Sequence, residues 1–309
     1  MRTLPPATVF SRADARSCGW SDAALSRAVR SGRVLRLRHD QFTAPENRDD
    51  RRVAATAAAR VCRGSVVSHR SAALIHGLPL LEVPPKRPDL TITPRGTGDV
   101  AAALLHRATL RPADIIEIDG LPVTTVARTV IDLARSMSTA AALVTTDAAL
   151  NRGLADADDL ELILRACRNW PGIRRARRTL MAADGRAESP LESVSRLVLR
   201  WLALPTPDLQ TTLCDRNGVF LGRADFYWDE FGVAGEADGR LKYEDRDVLT
   251  AEKLRQEALE DPGVAIVRWG WRDAQYRPRP LGDRIVQAFE RGRRRDRSGF
   301  PRQWSVRAS

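Results

Sequence analysis

Two strand-like runs, Val219–Trp228 and Val233–Asp238, flank the short turn Asp229-Glu230-Phe231-Gly232. No other stretch limits the fold as tightly. Strand side chains alternate between faces with a period of two, so one register fixes what each residue meets. Centring the turn between Glu230 and Phe231 sets Asp225 directly opposite Glu236, with Asp238 on the same face. Phe226 and Trp228 then point to the other face, toward a helix. Like charges directly opposite each other destabilise a strand pair. Either the face is solvated, with Arg223 and Arg240 as partners, or a cation sits on it. Carboxylate oxygens suit a hard divalent ion such as magnesium or manganese. Such an ion removes the repulsion and activates water beside a phosphodiester. Lys242 follows four residues after Asp238, where it could neutralise a phosphate, and Lys253 is a further candidate cation.

The surrounding pattern extends this hairpin. Ser189-Pro190-Leu191-Glu192 opens a helix with Ser at the cap, Pro at the first helical position and Glu three after the cap. Leu191, Val194, Val198, Trp201 and Leu202 supply its apolar spacing. Leu209–Cys214 reads as a strand and Asn217-Gly218 as a hairpin turn. Thr250–Glu260 reads as a helix and Val264–Gly270 as a last apolar strand. The order is helix, three strands, helix, strand.

The amino-terminal stretch reads differently. Ser11 and Ser21 are placed to cap two short helices that end near Gly19 and Gly32. Val34–Arg38 alternates like a strand, His39-Asp40 turns, and Gln41–Thr43 returns. Two helices followed by a basic hairpin is a winged helix-turn-helix pattern, which can set its second helix in a DNA major groove. Arg27 and Arg30 lie on the exposed face of the second helix, and Arg36 and Arg38 on the wing. The competing reading is a small helical domain that packs internally or binds protein.

Between these ends, residues 51–185 read as mixed but mainly helical, with short strands near residues 66, 90 and 119. Arg168 to Arg178 holds five Arg and no acid, an exposed basic helix face. The stretch Met181–Ser189 looks like a linker, with the best cut near Gly185. The formal charge is +11, and only Lys86, Lys242 and Lys253 are lysine among 50 basic residues. After Glu290 seven Arg and one Asp give a basic tail, suited either to nonspecific attraction to nucleic acid or to solvation. No run of about 18 apolar residues exists, so no membrane span is expected. Cys18, Cys62, Cys167 and Cys214 form no CxxC pair and read as buried thiols of a cytoplasmic protein. His39, His69, His76 and His106 show no metal spacing.

Three segments, "ESPLES", "GRADFYWDEFGVAGEADGRLKY" and "AEKLRQEALEDPGVAIVRWGW", together resemble the domain related to very-short-patch-repair endonucleases, within the PD-(D/E)xK nuclease superfamily. The amino-terminal half resembles the winged-helix antitoxin domain of the AbiEi type, through "GWSDAALSRAVRSGRVLRLRHDQF" and "VSHRSAALIHGLPL". The resemblance implies an α+β chain: a winged helix-turn-helix over 1–50, a helical middle region over 51–185, a restriction-endonuclease-like αβββαβ core over 186–290 and a basic disordered tail over 291–309. It implies a magnesium-dependent DNA endonuclease in which Asp225 is the first acid, Glu236 the second and Glu192 the helix acid. A capping box explains Glu192 equally well. The superfamily's Lys two residues after the second acid is Asp238 here, which leaves a D…ExD metal set with Lys242 or Lys253 as the displaced cation. DNA and a cognate toxin protein are the implied partners. The alternative is an antitoxin-like transcriptional regulator whose nuclease fold is inactive.

Overall fold

Ser11 and Ser21 accept backbone N–H groups three residues on, from Asp14 and Ala24, and so start α1 (Arg12–Ser17) and α2 (Asp22–Arg30). β1 (Leu35–Arg38) and β2 (Gln41–Thr43) follow as an antiparallel hairpin, turned at Asp40 with a φ of 53°. Phe10, Trp20, Leu25, Val34 and Phe42 close a small core between helices and hairpin. These elements sit where caps and alternation predict them. The computed structural model describes residues 3–95, 103–214, 217–238 and 264–294. In those residues the fold is α+β, as predicted, with eleven α-helices and three sheets. The chain divides into two compact units, Met1–Ala182 and Ala183–Ser309.

In the first unit, α3 (Arg51–Val61) packs on the hairpin and on the sheet that follows. That sheet gathers the short strands expected near residues 66, 90 and 119 within a region that is otherwise mainly helical. It has five strands in the order β5-β4-β3-β7-β6. They are β3 (Val66–Val67), β4 (Asp89–Ile92), β5 (Leu104–Arg107), β6 (Ile115–Ile118) and β7 (Leu121–Thr124). Strands this short carry little periodicity, and β4 is buried at all four positions. Helices α4 (His69–Ile75), α5 (Val126–Ser136), α6 (Thr139–Asn151), α7 (Ala157–Ala166) and α8 (Ile173–Ala182) complete the unit. Trp170 lies against two guanidinium groups of α5, Arg128 at 4.5 Å and Arg135 at 4.8 Å from the ring centre. Gly172 (φ 81°) then passes so close to α5 that a Cβ there would overlap the Arg135 carbonyl oxygen. The start of α8 is thereby pinned.

In the second unit, α9 (Pro190–Trp201) precedes a sheet ordered β11-β10-β9-β8. β8 (Asp208–Cys214), β9 (Phe220–Trp228) and β10 (Val233–Ala237) run antiparallel, and β11 (Ala265–Trp269) joins β10 in parallel. The helix expected over Thr250–Glu260 lies outside the described residues. α10 (Trp271–Tyr276) and α11 (Pro278–Arg294) follow. Phe289 of α11 stacks on Phe231 at 4.1 Å and meets Trp228 edge-on at 5.3 Å. Phe226 packs on Trp269. Trp228 therefore faces a helix, as the alternation requires, while Phe226 packs on a residue of β11. A Cβ at Gly292 would overlap the Phe231 carbonyl, so α11 lies directly against the β9–β10 turn.

Three expectations need correction. α11 runs to Arg294, four residues into the segment expected as a disordered tail; residues 295–309 lie outside the described residues. Trp201, expected in the apolar stripe of α9, is 63% exposed. Cys18 is exposed, and only Cys62 and Cys167 are fully buried thiols. Among the described residues no helix is long and apolar enough to cross a membrane.

Candidate functional site

Three clusters of charge stand out. The first is the winged hairpin unit. Leu25 and Ala28 turn α2 inward, which leaves Arg27 and Arg30, one helical turn apart, on its exposed side. Arg36 is exposed on β1, with its Nε 3.3 Å from the Arg38 carbonyl, and Arg38 is half-buried. The arginines of α1 are tied to acids: Arg16 to Asp22 at 3.5 Å, and Arg12 to Asp22 and Asp40 at 3.9 and 3.8 Å. Arg27, Arg30 and Arg36 have no acidic partner among the described residues. Arg174, Arg177 and Arg178 form a similar exposed stripe on α8, opposite buried Ala176 and Thr179.

The second cluster lies on β9 and β10. The pairs Val233↔Trp228, Ala234↔Tyr227 and Gly235↔Phe226 continue to Glu236 opposite Asp225, the register that the turn predicts. Asp225 Oδ2 accepts the Ala237 N–H at 2.9 Å. Glu192 reaches the same acid through Gln210, whose Nε2 donates to Glu192 Oε2 at 2.8 Å and lies 3.5 Å from Asp225 Oδ1. Glu192 Oε2 also accepts the Glu188 N–H, while Ser189 Oγ caps the Glu192 N–H. Ser189 caps the helix as expected, but the Glu192 carboxylate takes the Glu188 N–H and not that of Ser189, so the reciprocal half of the capping box is replaced. Burial first, then the charges of Glu192 and Glu236, push the Asp225 carboxyl up to about 6.

Partners that the sequence does not signal occupy this face. Parallel pairing sets Arg268 beside Glu236, and its Nε bonds Glu236 Oε2 at 2.6 Å. Arg223, expected to answer these acids, forms a two-point pair with Glu188 at 2.8 and 2.6 Å. Asp238 is exposed just past β10, its N–H on the Trp269 carbonyl. Lys242, Lys253 and Arg240 lie outside the described residues. Gln210 stands at φ 52° inside β8, opposite Asp225 in the β8–β9 register, and its buried Oε1 has no hydrogen-bond partner. The residue types suit a hard cation. Among the described residues no three His, Cys, Asp or Glu side chains stand together as a ready-made metal site.

The third cluster was not anticipated. His69, with φ 49° and 8% exposure, stacks on His106 with ring centres 3.6 Å apart. Buried Asp89 accepts His106 Nε2 at 2.8 Å and both Arg70 Nε and Nη2 at 2.9 Å. His69 Nδ1 lies 3.0 Å from Ser68 Oγ, which accepts from Thr91 Oγ1. Burial pushes the His69 imidazole down to about 4. Burial acts to raise Asp89, but its bonds from His106 and Arg70 outweigh this and leave it below the usual carboxylate range. The sequence spacing of these four residues gives no signal, because the packing of α4 on β4 and the pairing of β4 with β5 bring them together.

Comparisons with known proteins bear on the first unit. Residues 8–39 match the family model described as a transcriptional regulator, AbiEi antitoxin. Residues 54–182 match the AbiEi antitoxin C-terminal domain. Two uncharacterized proteins of Mycobacterium tuberculosis, Rv2248 of strain H37Rv and MT2308 of strain CDC 1551, are each 32% identical over 181 residues. The match covers 59% of this chain and 66% of each relative, just under two thirds of their length. The crystal structure of the RV2827C protein from the same species aligns with a TM-score of 0.39 at 16% identity, covering 67% of this chain and 80% of that one. Residues 8–39 and 54–182 are thus similar to the regulator and carboxy-terminal domains of AbiEi antitoxins.

Proposed function

We propose that this protein is an AbiEi-type transcriptional regulator that docks α2 in the major groove of an operator, sets its wing on the phosphate backbone, and has a cognate toxin as its second partner. One observation carries the reading: Arg27, Arg30 and Arg36 are exposed without acidic partners, while Arg12 and Arg16 beside them are neutralised. Free guanidinium groups on one face bind phosphate and base edges. The α8 stripe supplies further phosphate contacts. The test is binding to duplex DNA from upstream of the protein's own gene. Arg27→Ala and Arg30→Ala should each weaken it on the order of ten-fold, and an arginine on phosphate should reduce the salt slope by about one. Asp225→Ala should leave it unchanged. Affinity that ignores both α2 changes would remove the reading.

A second reading is a magnesium- or manganese-dependent DNA endonuclease in the second unit. It is favoured by the crowding that raises Asp225 toward neutrality, a common mark of functional carboxylates. Asp225, Glu236 and Asp238 would bind the ion, and Glu236 would have to leave Arg268 to do so. Glu192 would support Asp225 through Gln210, and Lys242 or Lys253 would supply the cation beside the phosphate. Purified protein should then nick DNA with either metal, and Asp225→Ala should abolish nicking. Cleavage that survives the substitution would end this reading.

A further inference from the structure

The second unit has another surface that neither reading uses. Trp201 ends α9, and Tyr276 ends α10, which packs against α9. Both rings stay in solvent, Trp201 at 63% exposure and Tyr276 at 78%. Together with Arg277, Pro278, Arg279 and Pro280 they line an open groove of about 430 Å³. That volume falls within the range of small-ligand sites, roughly 300–1,000 Å³. Arg277 and Arg279 are exposed and take part in no side-chain ion pair among the described residues. The nearest acid on α10, Asp273, is engaged by Arg284 at 3.3 Å. The groove lies at the opposite end of α9 from Glu192, about three helical turns from the acid cluster.

Two large aromatic faces left in water need an explanation, since each could have been buried. The chemistry beside them narrows the occupant. An apolar protein segment would not call for two unneutralised guanidinium groups, and duplex DNA presents no base face to stack on. Unpaired nucleic acid presents both partners: flat bases for the rings and phosphates for the arginines. Pro278 and Pro280 carry no backbone N–H, so the first turn of α11 leaves fewer unpartnered donors beside the groove.

We propose that the Trp201–Tyr276 groove binds single-stranded nucleic acid, with a base stacked on the aromatic rings and the adjoining phosphates on Arg277 and Arg279. The assignment rests on the reading of the chain as a nucleic-acid binder, and two arms keep their failures apart. The full-length protein is titrated with labelled oligothymidylate of about 12 nucleotides and, separately, with the operator duplex. Trp201→Ala and Tyr276→Ala should each weaken oligothymidylate binding on the order of ten-fold or more, and leave duplex binding unchanged. Trp201→Phe should retain most of the affinity, which separates stacking from misfolding. Arg277→Gln with Arg279→Gln should lower the salt dependence. Three results would overturn the groove while leaving the regulator reading intact. They are no oligothymidylate binding by the wild type, binding that ignores both aromatic changes, and capture of the cognate toxin lost on Trp201→Ala with oligothymidylate affinity unaltered. Loss of duplex binding alone, through Arg27→Ala, touches the regulator reading only.

Discussion

The two units bury charge in opposite ways. In the first, α5 carries Arg128, 2% exposed, between two buried aspartates: Nη1 bonds Asp114 at 3.1 Å and Nε bonds Asp132 at 2.8 Å. Arg111 and Arg135 complete the set, each 2.6–2.8 Å from one of those aspartates. Burial acts to raise Asp114, but the bonds from Arg111 win and hold it below the usual range. In the second unit Asp225 lies near Glu192 and Glu236, and Arg268 bonds Glu236. There burial and like charge win, and Asp225 rises. Carboxylates held by guanidinium groups can serve as structure, whereas a carboxylate raised toward neutrality can exchange a proton near pH 6.

Breaking the matched network should have the largest effect. Arg128→Ala leaves Asp114 and Asp132 buried without their shared cation, and should destabilise the first unit by about 3–5 kcal/mol. Hydrogen exchange resolved by unit would show that loss confined to residues 3–182. An Arg128→Ala protein as stable as the wild type would mean that the network is not compensated as its geometry suggests.

The next effect is a pH response of opposite sign in the two units. His69 is depressed from 6.5 to about 4, so the unfolded chain takes a proton that the folded one refuses. That stability is present above pH 6.5 and is lost as the pH falls toward 4, by on the order of 3 kcal/mol. His69→Asn, which tolerates positive φ and does not titrate, should flatten the loss. Asp225 is raised from 3.8 to about 6, so the folded chain keeps a proton that the unfolded one has released. Its destabilisation is absent below 3.8 and complete above about 6. Asp225→Asn should therefore stabilise the second unit at pH 7 by about 1–2 kcal/mol, after allowance for screening, and not at pH 4. Magnesium stabilising the wild type but not Asp225→Asn would favour the endonuclease reading; no effect of magnesium would favour the self-contained acid face. Urea titrations at both pH values measure these differences.

The smallest expected change is on the exposed arginines of α2. Arg27→Ala should shift stability by within about 0.5 kcal/mol, since the side chain is exposed and makes no ion pair. Thermal melting beside the duplex titration checks that affinity and stability separate at this position.

Local signals made several of the helices legible. Ser caps with Gly stops placed α1 and α2 within a residue or two, Ser189-Pro190 placed the start of α9, and the Asp229–Gly232 turn set the β9–β10 register. Features that depend on distant pairing were not legible. Short strands near residues 66, 90 and 119 were legible, but their pairing into one five-stranded sheet was not. Arg268 reaches Glu236 only because β11 pairs in parallel with β10, across a crossover that local pattern does not encode. Gln210 reaches Asp225 through a left-handed backbone that its residue type does not announce. Trp201 has the spacing of a core residue and yet faces water, since spacing fixes the face of a helix and not what covers it.

The contact between Gly292 and the Phe231 carbonyl has a consequence for synthesis. Chains emerge from the ribosome amino end first, and domains fold as they appear. The first unit has all of its described contacts in hand by residue 182, so α2 and its hairpin can form while the rest is still being translated. The turn that aligns Asp225 with Glu236 is clamped by α11, the last helix described, and gains its support only after Arg294 has been added. The acid face is therefore the late-maturing part of the molecule, and a chain stopped short of α11 would carry the regulator's hand without a finished second unit.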